Sequence, residues 1–377
     1  MVKISIASTT DVHGYTDEGL AQLRTHTSDL LIDNGDFFIG SPFATYGYAQ
    51  HSISPLVDVA NEIGYDVMVP GNHDLDFGLD WLLTQVKALD ADYVCCNLFF
   101  PNRTQVFKPY TIKEFQDKKV AVIGLLTGAY NQLAISDDLS LEVTVEDPRK
   151  ALSQVIDELK GKADLFVVAY HGGLTNDPKT GALWSYPSKE DEAYQIMERF
   201  PEIDSLICGH QHFVNAAIHP HEIALVQAGT QAKVLGYQEF EVDTNNHVII
   251  TDNRIKSLEA MEYPLKNRAD YEHWLDSPVN LSKVTDYITQ NYPADYHLLN
   301  YIARNLRDLI QQTQGPFPLS YYYISDEELA ELTDLEESLD MSLNYTVIAS
   351  PGILPAHRVR RQLLIPLFAE LVRHKAY

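Results

Sequence analysis

Val2-Lys3-Ile4-Ser5-Ile6-Ala7-Ser8-Thr9-Thr10-Asp11-Val12-His13 opens the chain with a short apolar run that ends in an aspartate and a histidine. A run of this length, rich in β-branched residues, reads as a buried strand over 2–8. The same pattern recurs four times. Leu31-Ile32-Asp33-Asn34-Gly35-Asp36 is the second instance. Val67-Met68-Val69 leads to Gly71-Asn72-His73-Asp74. Phe166-Val167-Val168-Ala169-Tyr170 leads to His171-Gly172-Gly173, and Leu206-Ile207-Cys208 leads to Gly209-His210-Gln211-His212. In a parallel sheet the carboxyl ends of the strands open on one edge, so loops that follow them converge in space. Chance polar residues would scatter over both edges.

Further apolar runs at 30–33, 93–96 and 120–126 complete a set of buried strands. Amphipathic stretches at 55–63, 79–89, 148–159 and 190–200 read as helices between them. Pro148 suits a first helical turn, preceded by the acidic Glu146 and Asp147. Alternation of this kind predicts an α/β layered architecture. Past His212 the pattern changes to strands at 223–227, 232–242 and 247–255, with Asn245-Asn246 as a turn, and an antiparallel extension of the sheet is the simple account. A linker is expected near 257–267. Beyond it a helix over 296–312, with Leu299, Ile302, Leu306, Leu309 and Ile310 on one face, a Pro-containing break at 315–319, an acidic stretch at 326–340 and a strand at 347–353 suggest a small second domain. The expected division is 1–260 for the first domain and 268–377 for the second.

A chain of 377 residues is long enough for a sizeable core and more than one domain. Its formal charge of −25 excludes a basic footprint for nucleic-acid polymers and argues against anionic lipid surfaces. Locally, bound metal ions can still invert that field and draw a phosphate ester in. Cys95, Cys96 and Cys208 sit in apolar runs without framework or zinc-type spacing, which suggests buried thiols and a reducing compartment. The N-terminal apolar stretch is too short for a secretory h-region and no run approaches a membrane span, so a cytoplasmic location is expected. A mature form already freed of a signal would read the same way.

Taken singly, each polar motif has an ordinary alternative. Asp-x-His after a strand is more often a turn or a helix cap. In Gly-Asn-His-Asp the glycine permits a tight turn presenting three polar side chains together. Gly-His-x-His can flank a metal or form a satisfied pair. Together they supply mixed oxygen and nitrogen donors, which suit manganese, zinc or iron(II) better than calcium. Two such ions about 3.5–4 Å apart can share a carboxylate, clamp a phosphoryl group and make hydroxide available near neutral pH.

These motifs resemble the 5′-nucleotidase and 2′,3′-cyclic-nucleotide phosphodiesterase branch of the calcineurin-like metallophosphoesterases. Gly71-Asn72-His73-Asp74-Leu75-Asp76 is similar to that branch's Gly-Asn-His-Glu/Asp-x-Asp signature, and Asp33-Asn34-Gly35-Asp36-Phe37-Phe38-Ile39-Gly40-Ser41 to its second motif. The resemblance covers about residues 3–256. It implies a metallophosphoesterase-type β-sandwich flanked by helices. It further implies that Asp11, His13, Asp36 and His212 hold one metal, with Asp36 bridging, and that Asn72, His171 and His210 complete the second. Many relatives carry glutamine where His212 stands. His73 is implied as the catalytic histidine and Asp76 as the carboxylate that orients it; an imidazolium beside a leaving oxygen stabilises developing charge.

The expected function is a two-metal phosphohydrolase for small nucleotides, in which metal-bound hydroxide attacks phosphorus. Alternatives are a phosphatase or pyrophosphohydrolase for another small phosphate ester, and a non-cleaving scaffold. Members of this branch usually carry a longer C-terminal domain with an aromatic pair for the base. Here Tyr296, Phe317 and Tyr321-Tyr322-Tyr323 could stack a base or fill a core, and Arg358, Arg360 and Arg361 could meet a phosphate or solvent. His26, His51, His219, His221, His247, His273, His297, His357 and His374 have no ligand-like sequence context and read as surface or packing residues. Asp33 could support a metal-ligating histidine or cap a strand.

Overall fold

The computed structural model describes residues 1–133, 141–186 and 188–275, together with the backbone of three later strands, 320–324, 345–349 and 361–363. Contacts group the chain into two compact units, one of Met1–Ile39 with Ile53–Pro264 and one of Gly40–Ser52 with Leu265–Tyr377.

The first unit holds two six-stranded sheets packed face to face. In the first sheet β1 (Val2–Thr9), β2 (Leu30–Asp33), β3 (Val67–Met68) and β4 (Asp92–Tyr93) run parallel. The second has a parallel centre of β7 (Lys118–Leu126), β9 (Leu165–His171), β10 (Ser205–Cys208) and β12 (Ala224–Ala228). Antiparallel strands finish the edges: β13 (Val234–Val242) and β14 (Val248–Ser257) beside β1, β6 (Tyr110–Phe115) beside β7, and β11 (Val214–Ile218) beside β12. A separate two-stranded pair is formed by β5 (Leu98–Phe99) and β8 (Thr144–Val145).

The sandwich that the resemblance implies is present, and the antiparallel extension holds for β13 and β14 beside β1 but is corrected for the strand at 223–227. The strands are shared between two sheets, and β12 lies parallel to β10, with Leu206 opposite Leu225. Apolar runs cannot reveal which sheet a strand joins, because every central strand here is buried on both faces.

Alternation within the strands shows how the layers are glued. Ile4, Ile6 and Ile32 from the first sheet meet Val120, Val122 and Val167 from the second in one buried cluster. The intervening residues of the second sheet, Ala121, Ile123 and Val168 among them, face outward. They pack against the helices Pro148–Leu159 and Ala193–Arg199. Helix Pro148–Leu159 is set by its start: Asp147 accepts hydrogen bonds from Arg149 N and Lys150 N, with Pro148 in the first turn. Its Ala151, Leu152, Val155, Ile156 and Leu159 form the buried stripe. Each large aliphatic residue so buried contributes roughly 1.5–3 kcal/mol. The expected helices at 79–89 and 190–200 are shorter, Leu79–Val86 and Ala193–Arg199.

One device repeats at the amino edge of both sheets. Asp29 accepts from Ser5 N, Asp66 from Leu31 N, Asp164 from Lys119 N and Asp204 from Phe166 N, all at 2.7–2.8 Å. Each aspartate stands at the entry to a parallel strand and satisfies an amide on the neighbouring strand. The opposite edge is thereby left to polar side chains of another purpose.

In the second unit, the helices Pro42–Gln50 and Arg268–Leu275 meet through aromatic rings. Tyr271 lies 5.1 Å from Phe43 and 5.4 Å from Tyr46, and Trp274 lies 5.5 Å from Tyr46. Three antiparallel strands follow, β15 (Ser320–Ile324) between β16 (Tyr345–Ala349) and β17 (Arg361–Leu363). The strand expected at 347–353 overlaps β16. The expected helix at 296–312, the break at 315–319 and the acidic stretch at 326–340 lie outside the described residues. So do Tyr296, Phe317, Arg358, Arg360 and the side chains of Tyr321, Tyr322, Tyr323 and Arg361. Among the described residues, no helix is long and apolar enough to cross a membrane.

Candidate metal centre and catalytic site

Loops from the two sheets meet at their shared carboxyl edge. The first sheet delivers Asp11 and His13 after β1, Asp36 after β2 and Asn72 after β3; the second delivers His171 at the end of β9, and His210 and His212 after β10. The loops are bonded to one another. Asp11 N donates to Gly35 O and His13 N to Asp36 O, both at 2.8 Å, while Gln231 N donates to Asp11 O at 2.8 Å. Such cross-bracing holds five of these residues, Asp11, His13, Asp36, His210 and His212, at φ between 51° and 70°. That left-handed conformation costs a non-glycine residue about 1–2 kcal/mol. Strain concentrated on one cluster of polar side chains points to a site whose geometry the surrounding fold enforces.

Two groups of donor atoms result. Asp11, His13 and His212 offer ligand atoms within 4.8 Å of one another, and so do Asp36, His171 and His210. Asn72 joins the second group: its Oδ1 lies 2.8 Å from His210 Nδ1 and 3.2 Å from His171 Nε2. The groups adjoin, for His171 Nε2, which is 3.2 Å from Asp36 Oδ2 within the second group, lies 4.0 Å from Asp11 Oδ1 of the first.

The tautomers decide what these atoms can bind. His13 Nδ1 donates to Ile39 O and His171 Nδ1 to Asn34 O, each at 2.7 Å, which turns both Nε2 lone pairs into the cluster. His210 does the reverse. Its Nε2 donates to Glu190 Oε1 at 2.7 Å and its Nδ1 faces inward. Ring nitrogens and carboxylate oxygens thus crowd together as ligand atoms, and His13 Nε2 lies 3.0 Å from His212 Nε2. Two of them belong to carboxylates, Asp11 and Asp36, that are essentially fully buried. Acceptors packed this closely around buried negative charge fit divalent cations of the manganese, zinc or iron class.

The titration of the cluster follows the same logic. Burial pulls His171 down, but Asp36 and Asp11 outweigh it and lift the imidazole to about 10, so that without a cation Nε2 holds a proton toward Asp36 that a bound cation would displace. Burial would raise Asp36, yet His171 and His73 hold it well below the usual carboxylate range. His13, where burial prevails, is lowered to about 4 and stays neutral.

His73 stands beside this cluster, with its ring centroid 5.7 Å from that of His13 and its side chain 22% exposed. Its Nδ1 lies 2.8 Å from Asp76 Oδ2, and its backbone N donates to Asp36 Oδ1 at 2.7 Å. Burial works to lower its pKa, but Asp76 and then Asp36 raise it to about 9. These carboxylates thus favour the cationic form of the ring at neutral pH.

Asp74 has a different task from its motif neighbours. It does not present a side chain to the cluster; it is fully buried and accepts from Asp36 N, Phe38 N and Gly71 N at 2.8–2.9 Å. The expected turn role of Gly71 is also revised. A Cβ there would lie 2.0 Å from Asp36 Oδ1, so glycine is required by close approach. Asp33 accepts from Thr9 Oγ1 and Gly35 N and supports no histidine.

Glu190 carries no signal that sequence reasoning detects, nor does Thr10, whose hydroxyl donates to Asp11 Oδ2 at 2.6 Å. Glu190 precedes helix Ala193–Arg199 and belongs to no motif. It is marked only as an acid in the segment after the His171 loop. Cys95, Cys96 and Cys208 are free and buried, and none of them belongs to a donor group among the described residues.

The model of the calcineurin-like phosphoesterase family matches residues 4–214. The chain belongs to the calcineurin-like phosphoesterase family. It is 29% identical over 250 residues to a 2′,3′-cyclic-nucleotide 2′-phosphodiesterase/3′-nucleotidase of Salmonella typhimurium, covering 56% of this chain and 37% of that protein. A 5′-nucleotidase of Vibrio vulnificus is 28% identical over 229 residues, covering 55% and 40%. The chain thus spans about two fifths or less of these relatives' lengths. Among solved structures, a candidate 5′-nucleotidase from Staphylococcus aureus in complex with alpha-ketoglutarate superimposes with a TM-score of 0.70 at 21% identity, covering 100% of this chain and 93% of that one. That likeness establishes the fold.

Proposed function

We propose that this chain is a two-metal phosphoric ester hydrolase for small nucleotides, releasing phosphate from nucleoside 5′-monophosphates or opening 2′,3′-cyclic nucleotides. The observation that carries the reading is the meeting of two largely buried donor groups, His171 of one lying 4.0 Å from Asp11 of the other. Asp11, His13, His212 and Asp36 would hold one ion; Asp36, Asn72, His171 and His210 would hold the other. Two divalent ions supply positive charge to the phosphoryl oxygens and lower the pKa of water.

The chain's own groups do the rest. Asp36 would serve both ions, and its Oδ1 accepts from His73 N. Asp76 holds His73 Nδ1, which keeps the ring protonated. A cationic donor at that point stabilises negative charge on a departing oxygen. Glu190 fixes the tautomer of His210. The nucleotide class is supported by the names of the matched relatives.

The test is turnover of the purified chain with added manganese on nucleoside 5′-monophosphates, 2′,3′-cyclic nucleotides, sugar phosphates and dinucleotides. Nucleotides should be the preferred substrates. Activity confined to the other esters would remove the nucleotide assignment, and inertness toward all of them would remove the hydrolase. His73→Ala should retain metal and lose about 10²–10⁴-fold in kcat.

A further inference from the structure

We propose that Glu198, His219 and His221 form a separate metal-ion site that takes one divalent cation of the zinc class. Their ligand atoms lie within 4.8 Å of one another. Glu198 Oε1 is 3.1 Å from His219 Nε2 and 3.7 Å from His221 Nε2. Tetrahedral zinc with metal–ligand bonds near 2.0–2.2 Å requires ligand atoms roughly 3.3–3.6 Å apart, so small side-chain adjustments complete the triad.

A second observation points to a ligand independently. His219 is 1% exposed, yet its Nε2 makes no hydrogen bond. Glu198 is near enough but lacks the alignment a hydrogen bond needs. A cation between His219 and Glu198 would relieve both.

Local structure preorganises the pair of histidines. His219-Pro220-His221-Glu222 turns the chain between β11 and β12. In this turn His219 N donates to Ile223 O, Glu222 N donates to His219 O, and Glu222 sits at φ 59°. His221 N donates to His219 Nδ1 at 3.2 Å, which ties the two histidines together; ligation through Nε2 would move the ring proton to Nδ1 and give up this bond. The ring centroids of His219 and His221 are 5.1 Å apart. Glu198 comes from the last turn of helix Ala193–Arg199. The bound ion would therefore staple that helix to the β11–β12 turn. Because β12 pairs with the start of β10 at Ser205↔Ala224, this turn lies at the amino edge of the second sheet. The candidate catalytic cluster occupies the other edge, so the proposal does not rest on the two-metal reading. Two imidazoles and one carboxylate, with the remaining position open to water, are a zinc-type donor set.

The test uses the full chain dialysed against micromolar free zinc. Metal content of the wild type is compared with that of His221→Ala and Glu198→Gln. Both positions are roughly half exposed, at 43% and 48%, so both variants should fold. The expected result is one zinc equivalent fewer in each variant, with turnover retained. Zinc should also shift the ring resonances of His219 and His221 in the wild type, a readout that needs no variant. Equal zinc content in all three proteins, or histidine resonances that move only at millimolar zinc, would overturn the proposal.

Discussion

Replacing Asp74 with alanine separates a scaffolding carboxylate from a metal ligand. Asp74 accepts three backbone N–H groups, from Asp36, Phe38 and Gly71. All three belong to the loops that carry the candidate ligands Asp36 and Asn72. Asp74→Ala leaves these donors buried without an acceptor, at about 1–3 kcal/mol each. The variant also removes a buried carboxylate next to another, which offsets part of that loss. A net destabilisation of about 3–5 kcal/mol is therefore expected, toward the severe end for a single substitution. The assay is urea unfolding monitored by tryptophan fluorescence, with metal content measured on the folded fraction. Metal affinity should fall as well, because Asp36 loses the anchor of its backbone. A loss below about 1 kcal/mol with unchanged metal content would refute the bracing role, since three orphaned amides cannot be that cheap. Lost metal at full stability would mean that Asp74 is itself a ligand.

Neighbouring geometry gives further expected outcomes. Glu190→Gln weakens the hold on His210 Nε2 and should reduce metal affinity about 10–100-fold, read by calorimetric titration; an unchanged affinity would contradict the tautomer argument. Gly71→Ala places a Cβ 2.0 Å from Asp36 Oδ1 and should displace that carboxylate, so turnover collapses while the far-ultraviolet dichroism persists; wild-type turnover would show that the loop yields freely. Asp204 supplies a pH test away from the cluster. Burial raises its carboxyl to about 7, against a smaller lowering by Phe166 N. A raised folded-state pKa gives stability that is fully present below the unfolded value of 3.8 and is lost as pH rises through about 7. Asp204→Asn keeps an acceptor for Phe166 N without titrating. Its stability relative to wild type should therefore climb between pH 4 and 7 by up to roughly 1.4 kcal/mol per unit, and a flat difference would rule the shift out.

Much of the active edge is legible in the sequence because strands buried on both faces are written as unbroken apolar runs. Val167 and Val168 point to opposite layers and are equally buried, so the run before His171 stands out. Residues directly after such a run lie at the carboxyl edge by geometry, whichever sheet the strand joins. The sheet itself is not legible, so β12 reads as an antiparallel extension although it pairs parallel to β10. Edge elements escape for the opposite reason. β6 is mostly half-buried along its length, and helix Pro42–Gln50 buries residues around much of its circumference. Neither gives a clear period.

Partners that act through another residue are also hidden. Glu190, Thr10 and the acceptor Asn34 O are defined by the atoms they touch, and no spacing encodes that contact. His219 and His221 look ordinary for the same cause, since Glu198 reaches them only across the fold. The aspartates at 29, 66, 164 and 204 show the reverse case. Each precedes an apolar run, and its role becomes clear once the neighbouring strand's amide is seen.

The central claim is that Asp11, His13, Asp36, Asn72, His171, His210 and His212 surround two cations. Anomalous scattering from crystals of the full chain grown with manganese tests it directly. Two peaks are expected at the carboxyl edge, about 3.5–4 Å apart with Asp36 between them. A single peak, or none among those side chains, would contradict it.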